Sequence, residues 1–69
     1  MASWINARDK ADALAQCSRF LQYFPYRYAF VIEFSSGEWG YTTGKTLAKG
    51  NTLARKGHKV FRVTLEDGK

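Results

Sequence analysis

Lys45, Lys49, Arg55, Lys56 and Lys59 lie between residues 44 and 59 with no acid among them. Their local excess equals the formal net charge of the whole chain, +5 at pH 7, so the remaining residues balance. An excess of one sign confined to a short segment points to an anionic partner more strongly than uniform basicity does. The simpler reading is a solvated face that keeps a small protein dispersed. On a helix, Lys45, Lys49, Thr52 and Lys56 recur at i, i+4, i+7 and i+11 and form one narrow stripe. Ammonium groups in such a stripe suit phosphate oxygens. Lysine rather than arginine favours contacts to a nucleic-acid backbone over the reading of bases. These five residues are the candidate nucleic-acid contacts.

Other chemistry finds less support. One cysteine, Cys17, allows no intrachain disulfide, and one cysteine with one histidine, His58, falls short of a four-ligand zinc site. Cys17 sits on an apolar helical stripe and reads as a small buried hydrophobe; as a nucleophile it would need His58 for a base. His58 stands inside the basic run and reads as exposed. Of the acids, Asp9 and Asp12 are explained by a helix start, and Glu33, Glu38, Glu66 and Asp67 form no paired carboxylates. No catalytic residue, metal site or cofactor is assigned, and the chain is not expected to be an enzyme. Gly40 to Thr46 resembles the phosphate-binding loop G-x-x-x-x-G-K-S/T, but the position that needs its first glycine holds Trp39. What survives is that Gly44, Lys45 and Thr46 near a helix N-terminus suit one phosphate or sulfate.

The elements that must position these groups start from Tyr28, Phe30, Ile32 and Phe34, which alternate along one strand face. With Ser36-Gly37 as a two-residue turn, Phe34 faces Trp39 and Ile32 faces Tyr41, and every large apolar residue shares one face. A longer turn with Gly37 as a bulge sets Glu33 against Trp39 and splits the apolar set, so the first register is expected. Before this hairpin, Ala11, Leu14, Cys17, Leu21 and Phe24 recur at helical spacing. Asn6 is the expected cap, Trp4 and Ile5 fold over the start, and Pro25 ends a helix over 7–23. After the hairpin, a helix over 46–56 is expected, capped by Thr46, with Gly57 at C′ and Leu47, Gly50, Asn51 and Ala54 inward. Leu53 falls off that stripe. Residues 58–65 read as a third strand. Residues 1–3 and 66–69 read as free ends.

Arg27-Tyr28-Ala29-Phe30-Val31 resembles part of the RNA-recognition-motif strand signature K/R-G-F/Y-G/A-F-V-x-F/Y. The second-position glycine is missing and the final aromatic comes one residue late, at Phe34. The element order also resembles that fold without its first strand. The resemblance implies aromatics that stack on bases from an open sheet face, whereas the run through Ile32 and Phe34 reads as core.

The expected fold is α+β: one small two-layer domain over residues 1–69, with element order α-β-β-α-β. A three-stranded antiparallel-type sheet in the order 2-1-3 carries both helices on one face. The expected function is a small intracellular, cytoplasmic binding module that meets nucleic-acid phosphates through residues 45–59. The alternative is an inhibitor or regulator that docks on a larger protein, with an acidic surface as one option, through Trp4, Tyr23, Tyr26 and Tyr28 or through an edge strand. No run of ~18 apolar residues is present and no signal peptide is expected, so no membrane partner is foreseen. A chain this short buries only about 60% of its unfolded surface, which leaves a homodimer open.

Overall fold

The Tyr28–Glu33 strand is apolar on both faces, and its place in the fold follows from that. The computed structural model describes residues 4–65. Its elements run β1 (Ile5–Ala7), α1 (Lys10–Tyr23), β2 (Tyr28–Glu33), β3 (Trp39–Gly44), α2 (Ala48–Arg55) and β4 (Lys59–Val63). The sheet order is β1-β3-β2-β4 with every neighbouring pair antiparallel. This is a small α+β domain whose last three strands stand in the expected order. The ends read as free, 1–3 and 66–69, lie outside the described residues.

The sheet has one strand more than expected. Ile5–Ala7 pairs with β3, Ile5 opposite Tyr41 and Ala7 opposite Trp39, and does not cap or staple the helix. The helix cap is Asp9, three residues beyond Asn6. Its backbone is extended and its carboxylate accepts the Asp12 N–H at 2.8 Å, while the Asp12 carboxylate accepts the Arg8 N–H at 3.1 Å. Both Asn6 and Asp9 have the composition of a cap. Asp9 prevails because residues 5–7 bond to β3, which local patterning does not reveal.

The hairpin adopts the longer turn. Glu33 pairs with Trp39, Ile32 with Gly40 and Val31 with Tyr41, one residue away from the expected Phe34–Trp39 and Ile32–Tyr41 pairs. Phe34 and Glu38 close a three-residue loop through Phe34 N–H to Glu38 O, and Gly37 N–H donates to Phe34 O, both at 2.9 Å. Gly37 has φ +90, the conformation the bulge position of such a loop requires. The other register assumed that only one face is buried. In fact both faces of β2 are covered. Ala29 and Val31 join Ala13, Cys17 and Leu21 of α1, with Val63, Trp39 and Tyr41. Ile32 and Phe34 join Leu53 of α2, with Trp4 and Val60.

The two helices therefore lie on opposite faces, which corrects the expected arrangement with both on one side. Crossover handedness supplies the reason. β1 and β2 are parallel with β3 between them, joined through α1; β3 and β4 are parallel with β2 between them, joined through α2. Both crossovers move the same way across the sheet, but β1 and β3 point in opposite directions. Two right-handed crossovers of that kind place their helices on opposite faces.

On its face, α2 is short and close. It covers residues 48–55, shorter than the expected 46–56, and Leu53 is 1% exposed while Leu47 is 41% exposed. The buried stripe is thus Gly50 with Leu53, rotated from the expected Leu47-Gly50-Asn51-Ala54. A Cβ on Gly50 would stand 2.7 Å from Cε1 of the buried Phe30 ring, so the absence of a side chain is what lets the helix seat there. At its end, Gly57 N–H bonds Ala54 O and His58 N–H bonds Leu53 O, the paired bonds of a Schellman motif around the expected C′ glycine. No described helix is long and apolar enough to cross a membrane.

Candidate nucleic-acid interface

The basic segment begins where β3 ends. Lys45 and Thr46 form the turn into α2, and the Thr46 hydroxyl accepts the Ala48 N–H at 3.3 Å, two residues before the helix proper. Lys49 stands in the first turn. Lys56 is the C-cap residue. All of Lys45, Lys49, Arg55 and Lys56 are exposed. Lys49, Thr52 and Lys56 line one shallow concavity of about 230 Å³ with Ala48 and Leu53; Lys45, the fourth residue of the predicted stripe, precedes the helix and is not part of that lining. Thr52 turns its hydroxyl inward and donates to Ala48 O at 2.9 Å, which leaves the lysines as that flank's polar offering.

Two of the five cations stand apart from this flank. Arg55 is about half a turn from the buried Leu53 and projects away from the sheet. Lys59 opens β4 opposite Glu33, and its Nζ lies 4.0 Å from that carboxylate. Glu33 alternates with Val31, so this pair is on the α1 face. The two side chains are 75% and 34% exposed, a geometry in which an ion pair contributes little. Asp9 and Asp12 are engaged in capping α1 on that same face. Residues 45–65 contain no acid at all.

The four aromatic candidates separate in the same way. Trp4 packs on Phe34 at 5.0 Å between ring centroids and meets His58 at 6.2 Å, edge on. It closes the core beneath α2 and is not a free docking ring. His58, expected to be exposed, is half-buried in this cluster, with its ring 5.0 Å from that of Phe34. Tyr23 and Tyr26 are 75% and 70% exposed. Tyr28 is half-buried under Arg62, whose guanidinium carbon is 4.8 Å from the ring centroid.

Arg27 and Arg62 are what the sequence reading missed. Tyr28 pairs with Gly44, which brings Arg27 and Tyr28 to the end of the sheet where Lys45 follows. The space above Gly44 is met by the Lys49 side chain, whose Cδ would lie 3.4 Å from a Cβ there. Arg62 pairs with Phe30 and reaches diagonally over Tyr28. Lys49, Tyr28 and Arg62 thus form a row across β3, β2 and β4. The signal lies in the register between β2 and β4, since cross-strand diagonals bring long side chains together, and local patterning specifies no register between these two strands.

Cys17 is fully buried in the α1 cluster, and burial pushes its thiol up to about 12. His58 lies on the other side of the sheet with Trp4 and Phe34, so the two do not form a nucleophile–base pair. Among the described residues no three His, Cys, Asp or Glu side chains come together as a metal site would require. Phe30, the aromatic at the centre of the RNA-recognition-motif resemblance, is 4% exposed beneath α2 and has no open face for a base. No protein-family model, curated protein or solved structure matches the chain.

Proposed function

We propose that this domain is a small non-enzymatic binding module that contacts nucleic-acid phosphates through the flank of α2. The observation that carries the reading is the common exposure of Lys45, Lys49 and Lys56, with Lys49 and Lys56 lining one concavity, in a segment without an acid. Lysines held this way retain hydrated, mobile charge, which suits counterion release from a polyanion more than the reading of bases. Lys45 and Lys49 lie beside the turn at Gly44 and Thr46, and Lys56 at the other end of α2, which gives the phosphates a route along the helix. A buried, unactivated thiol suits a reducing, cytoplasmic setting.

The test is titration of a short duplex and a short single strand at several salt concentrations. Lys45→Gln, Lys49→Gln and Lys56→Gln together leave the fold intact, because exposed substitutions usually lie within about 0.5 kcal/mol each. They weaken binding to all sequences alike. The slope of log affinity against log salt becomes shallower by roughly one unit for each phosphate that the variant no longer neutralises. Absence of binding to either probe at low salt sinks the reading.

A second reading, a regulator that docks on a larger protein, draws on the exposure of Tyr23 and Tyr26 and on the open edge of β4. Such a protein keeps its partner after the triple lysine change.

A further inference from the structure

We infer that the nucleic acid is single-stranded and that Tyr26 stacks on one of its bases; this rests on the phosphate-binding reading above. Two segments distant in sequence meet at one end of the sheet. The Tyr28–Gly44 pair sets Tyr26-Arg27-Tyr28 at the end of the sheet where Lys45 follows; Lys49 reaches from α2 over Gly44 of β3, and Arg62 reaches from β4 over Tyr28. Cations and rings therefore gather at one end of the sheet.

The rings there are arranged for contact with something outside the chain. Tyr26 is 70% exposed, and its contact with Phe24, at 6.3 Å and nearly perpendicular, is not a parallel stack. The Arg27 guanidinium carbon lies 5.7 Å from the ring centroids of both Phe24 and Tyr26. Its Nε is buried without an acceptor among the described residues. Arg27 thus lies against one side of Tyr26. A duplex keeps its bases stacked inside and offers such a ring nothing but its edges and backbone. A single strand offers π-faces of any sequence, and a ring flanked by phosphate-binding cations is the arrangement that takes them. Protein docking on the same rings is disfavoured by this charge, because Arg27, Lys45, Lys49 and Arg62 would all need acidic partners around one small aromatic centre.

The experiment compares an oligothymidylate of about 12 nucleotides with a duplex of the same length, using the whole chain. The single strand binds more tightly at equal salt. Tyr26→Ala weakens the single strand about tenfold, the usual scale for one stacked base, leaves the duplex within about twofold, and does not change the salt slope, since every phosphate-binding cation is still in place. Tyr26→Phe retains binding. Tyr26→Leu, which keeps apolar bulk without a ring, behaves as Tyr26→Ala and guards against a simple folding defect. If binding responds to the lysines but not to Tyr26, or falls equally for both probes, the stacking inference is overturned while the phosphate reading stands. No binding of either probe at low salt overturns both. A protein recovered from nuclease-treated lysate that is lost with Tyr26→Ala, with no affinity for the single strand, assigns the surface to protein docking instead.

Discussion

At the scale of single residues, Gly50 shows how a local preference is overruled. Alanine is favoured over glycine inside a helix by about 1 kcal/mol, so Gly50→Ala would stabilise an isolated α2. In the fold the new methyl stands 2.7 Å from a buried ring that has nowhere to go, and overpacking of that kind costs about 1–3 kcal/mol. Gly50→Ala is expected to lower the denaturant midpoint; a variant equal to or more stable than the parent would show that Phe30 can move. Cys17 gives a second test. Buried and without an activating partner, it reacts slowly with a thiol reagent in the native state and quickly in denaturant. Its folded pKa of about 12 lies above the ordinary thiol value of 9.0, so its contribution to stability is full below pH 9 and is lost as pH rises toward 12. The stability difference between the parent and Cys17→Ala should be constant below pH 8 and shift against the parent above pH 9. A difference that does not change up to pH 11 would mean that the thiol is not desolvated.

At the scale of elements, the start of α1 and the turn between β2 and β3 decide where everything else sits. Asp9 satisfies one of the free N–H groups of the first helical turn, and Asp12 reaches back to Arg8. Asp9→Ala should cost about 1 kcal/mol, within the range for removed caps, while Asn6→Ala should cost little; the reverse order in thermal melts would restore Asn6 as the cap. Gly37 holds the register. With φ +90 it has open space around its Cα, so any cost of Gly37→Ala comes from backbone strain and not from a clash. A slip by one residue would move Trp39 and Tyr41 out from under α1 and put them on the face that α2 covers. The short loop therefore selects which side chains meet which helix.

For the whole molecule, β2 is shared by two small cores. Neither has the area to stand alone in a domain of this size, where a single core rarely supplies more than about 3–5 kcal/mol. Ile32→Ala should cost about 2–5 kcal/mol and unfold most of the population, although it touches only the α2 face. The two tryptophans allow this coupling to be measured. Trp39 packs with the α1 cluster and Trp4 with the α2 cluster. In Trp4→Phe the remaining fluorescence reports the first core, and in Trp39→Phe the second. Each should follow far-UV circular dichroism through one denaturant transition, as two-state unfolding requires. A Trp4 signal that melts before the helices do would show the α2 layer opening on its own. The charge is divided by the same sheet: the capping acids and the Lys59–Glu33 pair lie on the α1 side, and the lysine flank lies on the α2 side. Among the described residues, this division leaves the lysine flank without nearby acids to neutralise it.

Some of this was determined by the sequence alone, because local chemistry is enough to specify it. The helical period that sets Cys17 and Leu21 on one buried face, the stop at Pro25, the strand alternation of residues 28–33, the C′ role of Gly57 and the clustering of lysines between 45 and 56 all follow from neighbours in the chain, although Ala13 completes that face while the expected Ala11 and Phe24 are exposed. The grouping of Lys49 with Lys56 followed as well, since helical spacing is a local property. The tertiary structure alone decided the register of the hairpin, the strand at Ile5–Ala7, the side of the sheet each helix covers and the placement of Tyr28, Arg62 and Lys49 at one end of the sheet. A pattern of apolar residues shows that a face is buried, but not how many faces are. Once β2 is central and covered twice, its alternation no longer selects a single side, and pairings between distant segments and the handedness of the crossovers settle the rest.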